Sequence, residues 1–403
     1  KEERGDPTFE VPACSVDLIV GLDKQQLYEI LPTNVVIQMP FSANAPFIQD
    51  PARTGIKDPL RSPMNRWLLQ RIGKLALSVF TEWLGNTKLD VETRVEAYRL
   101  LPRPPEKYGN SISGYCEKTI SDVFDGQINK VPTILTTKGK VVIGGNCLNI
   151  DPNLLDVWKD KEIIEIFGNG QKHIVAREVA PWARSLLAFW DLIEKRTASE
   201  DLDRLRNDPN PPKPTIDGIK TLWTYVYSHL AAWNGQYAYK KALRIVPAKG
   251  KKLLYPPVSV NVLSSKEKQL TEGEFSFLQE HIIVLDPEWY RVIQKLQEDV
   301  KENEAEIDKS TLKITSLFSD LGLIQGVTIE SIIRQASQAI FTSHDPGERG
   351  IQIAHIIARL GIRVPDGFKY LSQNMKWLSA SEGILLPKDG FVDVLYSTEV
   401  LEN

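Results

Sequence analysis

The chain has 403 residues, of which 42% are hydrophobic and 25% charged, a composition that excludes a wholly disordered or fibrous protein. Its formal net charge is −3, from 49 Lys and Arg against 52 Asp and Glu, so nothing in the overall charge attracts nucleic acid or anionic membranes. The length predicts two or three domains of roughly 150 residues each.

The termini and the cysteines bear on the compartment. No run of about 18 apolar residues occurs, so we expect no membrane span. Residues 1–7 are polar and do not form the apolar stretch of a signal peptide. The 3 cysteines are widely spaced, which favours a reducing compartment and hence the cytoplasm. The first residue is Lys1 rather than Met, which leaves open whether the chain is an internal piece of a longer protein.

The first elements in chain order are strands followed by a long helix. Residues 8–20 and 34–48 combine β-branched residues with prolines and predict extended strands, with a turn at 31–34 between them. From 65 to 84 apolar residues recur at spacings of three and four, which predicts an amphipathic helix of about five turns. A shorter helix over 91–101 ends at prolines. We place the end of a first α+β domain, 1–108, after it.

Helices and hairpins alternate in the rest of the chain. Periodicity predicts further helices over 111–125, 182–196, 218–232, 287–304, 328–341 and 348–361. The charged, proline-rich stretch 197–215 predicts an exposed linker. We therefore expect a helix–hairpin unit over 109–215 and a helical domain over 216–403 with hairpins at 244–260 and 364–378.

The predicted fold class is α+β, mostly helical, with small antiparallel hairpins and an N-terminal sheet packed on the long helix. No strand leads through a glycine-rich turn into a helix, which argues against a doubly wound sheet. One pattern recurs within the chain: 131–143 and 244–255 both read as strand, Lys-Gly-Lys turn and strand, and 368–378 is a looser copy. A hairpin-and-helix unit used more than once, or chance likeness between tight hairpins, would each account for it.

No complete catalytic or metal motif is found. No His or Cys pair has zinc spacing, and His355 falls in an apolar helical pattern that predicts a core or boundary position. Cys116 is expected to be a buried apolar group. A phosphate-binding helix start at 345–350 and a nuclease site using Asp191 and Glu194 are the alternatives weighed and not favoured. The acidic stretch 287–308 is interleaved with lysines and predicts a solvated helix face.

One stretch departs from generic behaviour. Residues 44–53 leave a strand, pass through a proline-containing loop and carry Arg53, with Arg61 and Arg66 close to the start of the long helix. Guanidinium groups in such a loop suit bidentate contacts with phosphate or carboxylate. The alternative is a surface loop with paired arginines.

The same stretch resembles sacsin-type proteins in the region after their GHKL (Bergerat-fold) ATPase domain. There a strand with an Asn and a Phe three residues later leads to an arginine loop, and a helix then opens with Asn followed by paired leucines. The matching residues here are Asn44, Phe47, Arg53, Asn65, Leu68 and Leu69. The segments beginning at Val131, Arg244 and Gln352 also look like later parts of these proteins. Members of this family are often encoded in defence loci.

The resemblance implies a non-catalytic, transducer-like segment of a chaperone-like or antiviral-defence ATPase. The acidic-plus-Asn helix and the Asp-x-Gly-x-Gly turn that hold ATP and Mg are absent from the sequence, so no cofactor is expected in this chain. ATP would then be bound by an upstream nucleotide-binding domain or a partner protein. ATPase activity is expected only with that domain. Arg53 would sense the terminal phosphate, with Arg61 as a secondary candidate.

Two other functions remain open. A stand-alone protein-interaction scaffold would use exposed tryptophans, of which Trp182, Trp190, Trp223 and Trp233 fall in or near helices. A nucleic-acid-processing component of a restriction or defence complex would need the basic residues of 94–103 and 249–252 to line one groove.

Overall fold

The computed structural model describes residues 15–105, 108–207, 210–230, 241–262, 270–286, 288–289, 314, 316–318, 320–321, 328–342, 345–364, 367–371 and 376–379. The chain divides into two compact units, Lys1–Thr197 and Ala198–Asn403. The fold is α+β and mostly helical, with small sheets, as the sequence predicts. Over the described ranges, no helix combines the length and apolar character that crossing a bilayer requires.

A four-stranded sheet opens the first unit. Its strands are β1 (Asp17–Ile19), β2 (Gln26–Glu29), β3 (Leu31–Val36) and β4 (Ser42–Asn44), in the order β1-β4-β2-β3. β4 pairs antiparallel with β1 and parallel with β2. The predicted turn at 31–34 is wrong, because these residues begin β3. The chain reverses at Ile30 instead, which takes a left-handed φ of 63°.

The helices of the first unit are α1 (Pro63–Gly85), α2 (Val91–Val95), α3 (Ile112–Gln127), α4 (Asp160–Phe167) and α5 (Pro181–Phe189). The predicted long helix is confirmed as α1, which the Ser62 side chain caps by accepting from the Asn65 amide at 3.2 Å. The predicted helix over 91–101 is α2 followed by a 3-10 turn, Glu96–Leu100. α5 ends before the predicted 196, since Asp191 takes a left-handed φ of 54°.

One hydrophobic core joins the sheet, α1, α3 and α5 of the first unit. It includes Leu27 in the sheet, Ile72 in α1, Ile120 in α3 and Ile193 after α5. α1 and α3 approach closely at Gly73, where an added Cβ would lie 2.8 Å from the Ile120 carbonyl oxygen. The predicted boundary after residue 108 therefore does not coincide with a division of the packing.

The second unit contains α6 (Ala198–Asn207), α7 (Ile216–Leu230), α8 (Glu272–His281), α9 (Ile329–Phe341) and α10 (Gly347–Leu360). The predicted linker over 197–215 is wrong. Leu202 and Leu205 of α6 are buried, and the Tyr225 hydroxyl donates to Asp201 at 2.8 Å. The chain then runs beside a hairpin, with the Lys213 amide donating to the Lys252 carbonyl at 2.7 Å. Most of the predicted helix over 287–304 lies outside the described residues.

The recurrence in the sequence is confirmed as a recurrence in topology. In the first unit α3 leads to the antiparallel hairpin β5 (Ile134–Leu135) and β6 (Val141–Val142). Next comes β7 (Cys147–Leu148), which pairs in parallel with β8 (His173–Ile174) across α4, and Val175 bridges back to Thr136. The recurring unit thus consists of a helix, an antiparallel hairpin and a parallel pair of strands that bridges back to the hairpin.

The second unit repeats this order. α7 precedes the antiparallel hairpin β9 (Val246–Pro247) and β10 (Leu254–Tyr255). Asn261 then pairs in parallel with Val284 across α8, and Leu285 bridges back to Ala248. The glycine of each Lys-Gly-Lys turn is left-handed, with φ of 69° at Gly139 and 67° at Gly250. The predicted third hairpin is also present, as β11 (Lys369–Leu371) and β12 (Trp377–Ser379).

Candidate functional site

Arg53 lies at the tip of a short hairpin that connects the sheet to α1. Gln49 and Ile56 form an antiparallel bridge at the base of this hairpin, residues 48–57. The Asp50 amide donates to the Gly55 carbonyl at 3.1 Å, and the Asp50 carboxylate accepts from the Thr54 amide at 3.0 Å. Arg53 is exposed and takes a left-handed φ of 58°. We call residues 48–57 the arginine hairpin.

Asn65 fixes the arginine hairpin to the first turn of α1. Its fully buried side chain accepts from the Ile48 amide at 2.7 Å and donates to the Ile48 and Lys57 carbonyls at 2.9 and 2.8 Å. Both donor hydrogens of the amide and its oxygen are therefore engaged with the loop. Asn65 holds both ends of the arginine hairpin at once.

The other residues of the family-like motif are also structural. Asn44 accepts from the Ile30 amide at 3.2 Å and donates to the Asp17 carboxylate at 3.1 Å, so it holds the strained turn between β2 and β3. Phe47, Leu68 and Leu69 are buried in the core beneath the arginine hairpin. These motif residues therefore have structural positions, Asn44 at the β2–β3 turn and the others in the core.

The neighbouring arginines have different surroundings. The Arg66 guanidinium donates to the Pro59 and Leu60 carbonyls at 3.1 and 3.0 Å, so it closes the turn before α1. Arg61 is exposed on that turn, and its amide donates to the Asp58 carbonyl at 2.9 Å. Arg66 is exposed too, but its guanidinium is engaged by its two carbonyl partners, whereas Arg53 lies exposed at the hairpin tip and Arg61 on the turn.

Arg94, within the predicted basic cluster of residues 94–103, is unavailable to an outside phosphate. It is buried and donates to the Leu84 and Gly139 carbonyls at 2.8 and 2.9 Å. A second buried arginine, Arg184, likewise donates to backbone carbonyls, among them those of Val179 and Ala176 at 2.9 and 2.8 Å. Burial lowers the pKa of Arg184 to about 10. Both arginines tie secondary-structure elements together.

The structure also places the cysteines and the histidine that the sequence analysis considered. Cys116 is buried as predicted, and burial raises its pKa to about 12, as it does that of Cys147. The prediction for His355 is wrong, because its side chain is exposed on α10. Among the residues that the structure describes, no group of three or more His, Cys, Asp or Glu side chains could hold a metal ion.

A groove on the first unit was not found from the sequence. It has a volume of about 900 Å³ and lies between α5 and the segments 38–40 and 99–104. Trp182 and Phe189 of α5 line it with 48% and 62% of their surfaces exposed. Its walls are distant in sequence, so periodicity in one segment gives no signal for it. We call it the α5 groove.

Comparison with protein-family models, with curated proteins and with solved structures finds no match.

Proposed function

We propose that this chain is a non-catalytic transducer and partner-binding segment of a sacsin-like, GHKL-type ATPase, working beside a nucleotide-binding lobe that holds ATP and Mg²⁺. The observation that carries the proposal is the placement of Arg53, exposed at the tip of a hairpin whose two ends are fixed by the buried Asn65 in the first turn of α1. The residues of the family-like motif supply the supporting contacts. The recurrent hairpin-and-helix unit in both halves of the chain is a second support.

The geometry suits contact with a phosphate. Charge that develops on a transferring phosphoryl group is stabilised by a positioned cation, and a guanidinium offers two parallel donors to phosphate oxygens. A group that serves this purpose must be held in place before the reaction. The arginine hairpin provides such support through its internal hydrogen bonds and through Asn65.

The same geometry offers a route for a signal. Because Asn65 belongs to the first turn of α1, a displacement of the arginine hairpin would act directly on α1. α1 packs on α3 at Gly73 and shares one core with the sheet, so these elements would respond as a body. Nucleotide state would in this way reach surfaces that bind partners.

The test compares two arginine substitutions in the polypeptide or complex that contains both this chain and the nucleotide-binding lobe. Arg53→Gly removes the guanidinium and also relieves a left-handed backbone that costs a non-glycine residue roughly 1–2 kcal/mol. We expect an unchanged or higher melting temperature and a kcat for ATP hydrolysis lowered about tenfold or more, near 1.4 kcal/mol in barrier. Arg334→Ala, an exposed arginine on α9, is the control and should leave kcat unchanged.

Two results would contradict the proposal. An unchanged kcat in Arg53→Gly would remove this residue from the mechanism. Robust Mg²⁺-dependent hydrolysis by the chain alone would show that the nucleotide site lies within it. Arg61→Ala, measured in parallel, should give a smaller loss than Arg53→Gly.

A second candidate function, a protein-interaction scaffold, is favoured by the exposure of Trp67 and Trp182, 43% and 48% of their surfaces. Exposed tryptophans are frequent anchors in protein interfaces. Of the other tryptophans considered, Trp190 and Trp223 are buried and Trp233 lies outside the described residues. The nucleic-acid alternative receives less support, because Arg94 is committed to backbone carbonyls.

A further inference from the structure

The α5 groove has an apolar floor with the spacing of a helix face. Trp182, Ser185, Leu186 and Phe189 line it at intervals of three and four residues along α5. The opposite wall contributes Met39, Pro40, Leu101 and Pro104. Its volume of about 900 Å³ is large enough to take several bulky apolar side chains of a bound segment.

The walls are held in place by buried polar groups. The Glu117 carboxylate accepts from the Gln38 amide at 2.5 Å, and the Trp190 indole donates to the Pro102 carbonyl at 3.0 Å. The Tyr108 hydroxyl accepts from the Arg103 amide at 3.0 Å. A groove fixed in this manner loses little conformational freedom when it binds, which favours affinity.

The backbone of the walls disfavours a β-strand as the occupant. The amides of Gln38, Leu101 and Arg103 already donate within the protein, and Pro40 and Pro104 have no amide hydrogen. Strand addition relies on free main-chain donors and acceptors, whereas helix-in-groove recognition relies on apolar side chains at helical spacing. An amphipathic helix is therefore the occupant that the walls admit.

The charged residues that line the groove favour a bound helix with negatively charged side chains. Arg99 and Arg103 line the groove and are exposed, and its described lining includes no carboxylate. Arg99 also forms an ion pair with the less exposed Glu96, so the positive charge of the site is neutralised in part. Complementary charge steers association and sets the register of a bound segment.

We propose that the α5 groove binds an amphipathic helical segment of a partner protein, with bulky apolar side chains against Trp182 and Phe189 and acidic residues facing Arg99 and Arg103. This inference does not depend on the assignment of Arg53, and its test involves no nucleotide. It names the surface through which the chain would engage a protein partner.

The test is a selection from a displayed library of helix-forming peptides against the whole chain. Peptides that also bind the double variant Trp182→Ala, Phe189→Ala are removed, so those that remain require the groove aromatics. We expect the remaining peptides to share apolar residues at helical spacing and an excess of Asp and Glu on one flank. Their affinity, measured by fluorescence anisotropy, should fall with rising salt.

Point variants then test each contact with one selected peptide. Trp182→Ala should weaken binding about tenfold or more, and Arg103→Glu should weaken it while restoring affinity for a peptide whose acids are changed to Lys. Ile143→Ala, an exposed apolar residue of the first unit that does not line the groove, is the control and should bind normally. Circular dichroism and melting curves confirm that each variant folds.

Three outcomes would overturn the proposal. One is a selection that yields no groove-dependent peptide. Another is a set of peptides that are basic or that bind in extended form. The third is concentration-dependent dimerisation of the chain that Trp182→Ala abolishes, which would identify a second copy as the occupant.

Discussion

Asn65→Ala removes the side chain through which α1 holds the arginine hairpin. The substitution removes the hydrogen bonds that the Ile48 amide donates and the Lys57 carbonyl accepts, at 2.7 and 2.8 Å. It also removes one of two that the Ile48 carbonyl accepts, at 2.9 Å, and leaves the one from the Lys57 amide at 2.8 Å. A typical hydrogen bond contributes about 1 kcal/mol net, and an unsatisfied buried group costs about 1–3 kcal/mol. Because the Ile48 amide and the Lys57 carbonyl each lose such a bond, the expected destabilisation of the first unit is about 2–4 kcal/mol.

Hydrogen exchange read by mass spectrometry separates a local effect from a global one. Peptides that cover 48–57 should lose protection in Asn65→Ala, first at the Ile48 amide. Denaturant titration of the same variant gives the change in the free energy of unfolding. Asn65→Asp keeps the acceptor but loses both donor hydrogens, so it should destabilise without restoring the two carbonyl contacts. Asn129→Ala, an exposed asparagine, is the control.

A small effect would refute the reasoning. If Asn65→Ala lowered the free energy of unfolding by less than about 1 kcal/mol, with exchange at 48–57 unchanged, burial of Phe47 and Ile56 alone would be holding the hairpin. The rigid presentation of Arg53 would then have another origin.

Two further predictions concern α3. Gly73→Ala should destabilise the first unit by about 1–3 kcal/mol in urea titration, because its Cβ would lie 2.8 Å from the Ile120 carbonyl oxygen and 2.9 Å from Val123 Cβ. Gly126→Ala is the control: this glycine lies on α3 with no atom within 4 Å of the added Cβ, so the substitution should stabilise the unit slightly. Equal effects of the two substitutions would contradict the close contact between α1 and α3. Burial raises the pKa of Glu117 above its ordinary 4.5, so the native state keeps the proton longer than the unfolded chain and loses stability as pH rises from about 4.5 through the raised pKa. Melting curves of Glu117→Gln should lack this loss, so the gain over the native protein should grow with pH across that window; parallel curves would show that the carboxyl is not buried as described.

The sequence predicts the helices better than the sheet. α1, α3, α7, α9 and α10 carry an apolar face at helical spacing, so their positions follow from the pattern alone. β2 was missed, because Gln26–Glu29 is short and its pairing with β3 and β4 is a tertiary property. The linker prediction is wrong because prolines and charged residues dominate the composition of 197–215. The two buried leucines of α6, Leu202 and Leu205, contribute little to that composition.

For the candidate sites too, local sequence patterns predict some features, while others depend on tertiary contacts. The position of Arg53 between a strand and a helix makes it a candidate for contact with phosphate or carboxylate, and the structure leaves this residue exposed. His355 was misplaced, since one polar residue on an apolar helix face can lie at its solvent edge. The α5 groove combines segments roughly 60 and 80 residues apart, and only the folded chain brings them together.

The continuous core of the first unit limits where this chain can be cut or exchanged. A fragment that stops after residue 108 would carry α1 without α3, and the apolar face around Ile72 would meet water. Such a piece is expected to aggregate, whereas a cut at 197 follows the division between the two compact units. Recombination, in evolution or in the laboratory, would therefore move these two halves as whole blocks.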